Sequence, residues 1–287
     1  MAQDRGALSV TSDFGRCADL KHQLCRMLML LSPAKDLDET PMPSVKGTTQ
    51  PRFLDKSAMI MGKLRTMSPQ RIARTMELSG ELAELNHQRF QDWSPPFSVK
   101  NAKPALYMFD GEAYRGLDAA TLTAAEVKHA QGHLRLLSGL YGSLRPLDLV
   151  QPYRLEMGCP IQVARGTKGL YAFWGDRLAD SIVEDARTVG TDVVVNLASA
   201  EYFRAVERIR DRTRVVTPVF KERTPTGHKT VMVFAKRQRG RMTRWLLQHR
   251  ALDPAILREY DVDGYRFNAG LSKGDEWVFE RPLPAKR

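Results

Sequence analysis

Cysteine is scarce in this chain of 287 residues: there are three, Cys17 and Cys25 in the leading segment and Cys159 in the body. No C-x-x-C pair exists, which excludes a disulfide framework, a zinc ribbon and a dithiol redox centre. Cys159, in Met-Gly-Cys-Pro, reads as a small buried apolar residue rather than a reactive one. Long hydrophobic runs are also missing. The early run of residues 27–31 stops at Ser32-Pro33, far short of the ~20 residues that span a bilayer. Residues 1–26 carry Asp4, Asp13 and Asp19 and no continuous apolar stretch, so they do not read as a secretory signal. A cytoplasmic protein without membrane contact is expected. No Walker loop, Rossmann fingerprint or G-x-S-x-G elbow occurs. His129 and His133 stand four residues apart, but no Glu follows His129 and no third ligand is apparent, so neither a metal nor a cofactor is expected.

Positive charge is what the chain has in excess. Its 44 Lys and Arg outnumber 33 Asp and Glu, for a net charge of +11. From Arg204 to Arg250 there are fourteen Lys or Arg against Glu207, Asp211 and Glu222, so this segment alone carries an excess equal to that of the whole chain. A field this one-sided favours polyanions such as nucleic acid, with affinity that falls as salt rises. A basic surface without a partner, or one that meets an acidic protein, is the alternative.

With 43% hydrophobic residues, the chain can bury a large core. Met27-Leu-Met-Leu-Leu31 reads as a buried strand and as the beginning of the fold. Residues 1–26 read as an appended, disordered extension, and residues 27–287 as one domain. Residues 51–93 show helical spacing, with Ser68-Pro69 as an N-cap and N1 pair. Residues 105–109 form a short apolar run that suits a strand. Thr123-Ala-Ala-Glu126 is a capping box, predicting a helix that runs to about Leu137, directly before a turn at 138–142. Residues 171–186 read as a helix, and 193–195 as a strand that presents Asn196 ahead of a helix start at Ser199. Residues 214–220 and 229–235 alternate well enough to pair as a basic hairpin, followed by a helix over 241–250. Strands alternating with helices point to an α/β fold: a mixed sheet with surrounding helices in a single compact domain.

Several residues are candidates for chemistry. Gly139 and Gly142 permit a tight turn whose amides can hold an anion beside Arg145 and Arg154, or they simply connect two elements. Arg237, Arg241 and Arg244 fall at i, i+4 and i+7 on one helix face, while Met242, Trp245 and Leu246 take another. Such a face suits phosphates, or is merely solvated. Lys35 emerges after the first strand, where α/β proteins place binding groups; it can bind an anion, act as an amine nucleophile or be an ordinary loop residue. Asn196 and Ser199 mark a second strand end, where Ser199 also serves as an N-cap.

Taken in order, the blocks Ser32-Pro-Ala-Lys-Asp-Leu-Asp38, Leu137-Ser-Gly-Leu-Tyr-Gly142, Leu144-Arg-Pro146, Pro152-Tyr-Arg-Leu-Glu-Met-Gly158, Phe173-Trp-Gly175 and Asn196-Leu-Ala-Ser199 closely resemble those of the bacterial YaaA family, the peroxide stress resistance proteins. The similarity runs from Met27 to about Arg281. The resemblance implies a single α/β domain with a basic cleft and a helix-hairpin-helix element, DNA binding, and a part in keeping unincorporated iron low under hydrogen peroxide. It places the hairpin at 138–144 and the cleft at Lys35, Arg145, Arg154, Lys236 and Arg239. The block Phe109-Asp-Gly-Glu-Ala-Tyr114 departs from the family's Phe-Lys-Gly-Asp-Val-Tyr and loses a lysine.

Two readings follow. The first is a protein of the peroxide stress response that binds double-stranded DNA through backbone phosphates, without reading sequence, and limits iron-dependent damage. The second is an enzyme acting on a small anionic or nucleobase-like substrate in a pocket of Lys35, Tyr114, Tyr153, Arg154, Glu156, Asn196 and Ser199. A carboxylate and tyrosines converging with Lys35 in a cavity would favour the second, since phosphate binding alone does not need a carboxylate.

Overall fold

The computed structural model describes residues 27–42, 45–250 and 253–284; the extension expected at 1–26, with Cys17 and Cys25, lies outside the described residues. The main sheet has eight strands. Across it run Arg266–Phe267, Glu276–Pro282, Arg214–Thr224, Val193–Leu197, Met27–Leu31, Leu134–Ser138 and Gly142–Leu144, and Gly227–Lys229 hairpins onto Arg214–Thr224. The five from Glu276–Pro282 to Leu134–Ser138 are mutually parallel, and the edge strands Arg266–Phe267 and Gly142–Leu144 are antiparallel. Met27–Leu31 and Val193–Leu197 are buried at every position, as expected where helices cover both faces of a parallel sheet and apolar runs are continuous. This is the mixed-sheet α/β architecture expected from the alternation of strands and helices.

The order of the strands sets the position of the site. From the central strand Met27–Leu31 the chain goes first to Leu134–Ser138 on one side and then to Val193–Leu197 on the other. Neighbouring crossovers therefore leave in opposite directions, which opens a crevice beyond the carboxyl ends of these strands. Leu31 pairs with both Leu136 and Leu197, so the three strands end nearly level.

Local chemistry explains the helices that were expected. Ser68 Oγ accepts from Arg71 N ahead of Pro69–Met76. Thr123 and Glu126 complete a reciprocal capping box at the start of Ala124–His133. That helix stops at His133, four residues sooner than its pattern suggested. Leu134–Ser138 is instead a buried strand, and with Gly142–Leu144 it forms a β-hairpin in place of the expected helix-hairpin-helix. The reason is Arg135, which interrupts the apolar run yet is 5% exposed. Its Nε donates to Asp185 Oδ2 at 2.7 Å, and Nη1 donates to the carbonyls of Gln131, Gly132 and Leu134.

Three smaller expectations are corrected. Residues 105–109 form a helical turn, Ala105–Met108, and then the strand Phe109–Asp110; Ala105 N and Leu106 N are held by the carbonyls of Asp148 and Pro146, and an apolar run this short carries no period. The helix expected over 171–186 is two, Gly169–Trp174 and Arg177–Thr188, broken at Gly175, whose φ is 52°. The hairpin partner of Arg214–Thr224 ends at Lys229, and Met232–His249 is one long helix. Val231 N donates to the buried Glu222 carboxylate at 3.0 Å and so turns the chain out of the sheet.

Asp185 couples the sheet to its helical layer by accepting from both Arg135 and Arg52, the latter at 2.5 Å. Burial opposes its charge, but the two guanidinium groups outweigh burial and hold the carboxyl below its ordinary value. Asp185→Asn leaves Arg135 buried without a counter-charge and should cost about 3 kcal/mol. A carboxyl whose folded value is depressed contributes stability above its unfolded value, about 3.9, and loses it as pH falls further. Denaturation with urea should therefore show a large gap between wild type and Asp185→Asn at pH 7 that narrows below about pH 4. A constant gap across that range would contradict this coupling.

Candidate functional site

A cleft of about 420 Å³ occupies the crevice beyond the strand ends. Its floor joins two of them: Ser199 N donates to Ser32 Oγ at 2.8 Å, and Ser32 Oγ donates to Ser199 Oγ at 3.3 Å. Tyr114, from the short helix Glu112–Leu117, donates its hydroxyl to Ser32 O at 3.0 Å. One wall is the extended segment 151–157. Side chains alternate there, so that Tyr153, Leu155 and Met157 are buried and Arg154 and Glu156 lie half-buried between them. A second wall is the helix Met232–His249, with Lys236 and Arg239.

The phenols are fixed and neutral. Burial pushes the hydroxyls of Tyr114, Tyr153 and Tyr202 well above the ordinary tyrosine value. Tyr153 and Ser138 share a hydrogen bond of 2.5 Å beneath the cleft. Glu201, one residue before Tyr202, accepts from Gly158 N at 2.9 Å and ties the end of the 151–157 wall to the turn after Val193–Leu197.

The charges sort into paired and unpaired. Glu156 meets Lys35 at 2.9 Å and Arg154 at 3.3 Å, and both cations sit on the same oxygen, Oε1. Arg154 Nε is buried with no partner among the described residues. On the long helix, Arg237 pairs with Glu112 at 2.8 Å, Arg241 pairs with Asp263, and Arg244 donates to the carbonyls of Leu117 and Asp118 at 3.0 and 2.9 Å. The face expected to await phosphate is thus neutralised by the protein itself. Lys236 and Arg239 lie on a different face of the helix, and neither side chain has a hydrogen bond or ion pair among the described residues. Burial lowers the Arg239 guanidinium below the usual arginine value, as desolvation of a cation without a counter-charge must.

Of the residues singled out in the sequence, Lys35, Tyr114, Tyr153, Arg154, Glu156, Ser199, Lys236 and Arg239 converge on this cleft. Asn196 does not: it is buried, and its Oδ1 accepts from Ala198 N at 3.1 Å. Arg145 lies outside the cleft lining and holds the buried Asp148, whose carboxyl burial raises. Gly139 and Gly142, expected to offer amides to an anion, are buried instead. A Cβ on Gly139 would come within 2.5 Å of Leu155 O, and Gly142 packs against Trp174, whose indole donates to Gly139 O at 3.0 Å. The bulk of Trp174 needs that closeness, which makes the turn a packing feature. Sequence reasoning missed Tyr202 and the acceptor role of Ser32. Tyr202 follows Ser199 by three residues and so shares its helical face, the one signal that could have flagged it.

Two further glycines were missed, and they hold the cationic wall in place. Gly116 and Gly240 face each other where Glu112–Leu117 crosses the long helix. A Cβ on Gly240 would lie 1.7 Å from Ala113 O, and one on Gly116 would lie 2.2 Å from Arg237 O. Gly240→Ala must push the helices apart and should cost about 2 kcal/mol. Gly132→Ala is the control: its Cβ meets nothing within 4 Å, and it should be neutral or stabilising by up to about 1 kcal/mol. Thermal melts of both variants decide the point, and a Gly240→Ala protein as stable as wild type would refute the crossing.

Comparison with known proteins follows the same outline. The profile of the family described as peroxide stress protein YaaA matches residues 27–271. A UPF0246 protein of Hahella chejuensis is 48% identical over 256 residues, which cover 89% of this chain and 99% of that protein. A UPF0246 protein of Cupriavidus metallidurans is 47% identical over 260 residues, 90% of this chain and 99% of its own. One of Neisseria meningitidis serogroup B is 45% identical over 255 residues, 89% and 98%. A match that begins at the first strand and spans sheet, cleft and long helix leaves one conclusion: this chain belongs to the YaaA family of peroxide stress proteins.

Proposed function

We propose that this protein acts in the peroxide stress response by binding double-stranded DNA through its backbone phosphates, and that the phosphates are taken at the cleft mouth by Lys35, Arg154, Lys236 and Arg239. One observation carries the assignment: on the long helix, Lys236 and Arg239 remain without partners while Arg237, Arg241 and Arg244 do not, and both unpartnered cations line one cleft. The net charge of +11 supplies the long-range attraction to a polyanion. Neutralising phosphates releases condensed cations from the strand. Ferrous ion is one of these, so coverage by the protein limits iron-dependent oxidation of the DNA beneath it. Among the described residues no helix is long and apolar enough to cross a membrane.

The cleft interior favours a second reading, an enzyme acting on a small anionic or nucleobase-like substrate. The observation behind it is Glu156, gripped by Lys35 and Arg154 beside neutral buried phenols. A phosphate seat alone has no use for a carboxylate.

Fluorescence anisotropy over a salt series, with two duplexes of unrelated sequence, tests the first reading. Affinity should fall steeply with salt and be nearly the same for both duplexes. Arg239→Ala should flatten the log–log slope by about one unit, whereas Arg241→Ala, which removes a cation already neutralised by Asp263, should change it far less. Equal slopes for wild type and Arg239→Ala would remove the cleft from DNA contact. Absence of binding at low salt would leave the enzyme reading alone.

A further inference from the structure

We propose that the cleft is a built site for a small phosphate monoester that also carries hydroxyl groups, the chemistry of a sugar phosphate, with its phosphate held by Arg239 and Lys236 and a hydroxyl donating to Glu156 Oε2. The inference deepens the reading in which the cleft takes a small anionic ligand, and rests on it.

Three features define the two ends of such a ligand. The anionic end is set by Arg239 and Lys236, three residues apart on one helical face, both in the cleft wall and both without a counter-charge. A partly desolvated guanidinium is costly to leave unpaired, and its planar fork of donors matches a phosphate. The polar end is set by Glu156. Lys35 and Arg154 both bind Oε1, which leaves Oε2 as an open acceptor on a half-buried side chain. Two cations on one carboxylate leave that corner net positive, so an ammonium group is repelled and a neutral hydroxyl donor is suited. The third feature is size and place. About 420 Å³ beyond the strand ends falls within the roughly 300–1,000 Å³ typical of small-molecule sites, and it lies where parallel sheets commonly bind ligands. A duplex does not fit inside it, whereas one sugar-phosphate unit does.

The same chemistry is carried by a free sugar phosphate or nucleotide and by the 5′-phosphorylated end of a DNA strand. Calorimetric titrations of the full chain with inorganic phosphate, ribose, ribose 5-phosphate, and a short duplex with and without 5′-phosphates separate these sources. Ribose 5-phosphate should bind at least about tenfold more tightly than inorganic phosphate, and ribose should not bind measurably, because two seats acting together are needed. Arg239→Met should weaken ribose 5-phosphate by about tenfold or more. Glu156→Gln should weaken ribose 5-phosphate several-fold and leave inorganic phosphate bound at least as well as in wild type. Circular dichroism and melting confirm that each variant folds, and Lys236→Ala provides a second, surface-compatible test of the phosphate seat.

A duplex that binds more tightly with 5′-phosphates than without, and competes with ribose 5-phosphate, identifies the DNA end as the source; a duplex indifferent to its 5′-phosphates identifies the free metabolite. Ribose 5-phosphate binding no better than inorganic phosphate in wild type, or equally well in Arg239→Met, overturns the proposal. Loss of duplex binding alone, with ribose 5-phosphate still bound, contradicts the DNA reading and leaves this site standing.

Discussion

A close crossing of two helices at Gly116 and Gly240 fixes the geometry on which the cleft depends. Backbone meets backbone there with no room for a methyl group. Glu112–Leu117 carries Tyr114 and Glu112, and Met232–His249 carries Lys236, Arg237 and Arg239. Bringing the backbones together places Glu112 within 2.8 Å of Arg237, on the long helix whose 236/239 face lines the same cleft as Glu156. A wider crossing would loosen the Arg237 pair and withdraw the cationic wall together, because both sit on the same rigid helix.

The second constraint is electrostatic. A segment so rich in arginine would repel itself unless its charges were balanced, and the fold balances them with distant carboxylates: Asp176 for Arg208, Asp180 for Arg212, Asp275 for Arg214 and Asp263 for Arg241. Exposed pairs of this kind contribute little stability. Their larger consequence is to leave a few cations unbalanced at chosen places. Arg239 is one of these, and its burial among the cleft walls makes an anionic ligand the natural counter-charge.

Much of this was legible in the sequence where local rules dominate. The apolar runs of Met27–Leu31 and Val193–Leu197, the capping box at Thr123 and the Ser68-Pro69 start all formed as their chemistry requires. Lys35 and Ser199 were placed at strand ends by the same logic, and the family resemblance added the Lys236 and Arg239 wall. What local rules missed depends on tertiary partners. Leu134–Ser138 hid its strand character behind Arg135, whose counter-charge, Asp185, lies fifty residues away. The basic helix face looked free because its carboxylates are remote; Glu112 is 125 positions from Arg237. The turn at Gly139 looked like an anion loop because nothing nearby reveals that Leu155 and Trp174 close over it.

The central claim is that the proposed anion seat lies inside the cleft, on the Lys236 and Arg239 face of the long helix, and not on the face of Arg237, Arg241 and Arg244. Side-chain nitrogen NMR of the arginine Nε–Hε groups, titrated with methyl phosphate, reads it directly. The Arg239 signal should shift along a saturable curve, while those of Arg237, Arg241 and Arg244 stay in place because their carboxylate and carbonyl partners already hold them. Saturable shifts at Arg237, Arg241 and Arg244 with Arg239 unmoved would contradict it.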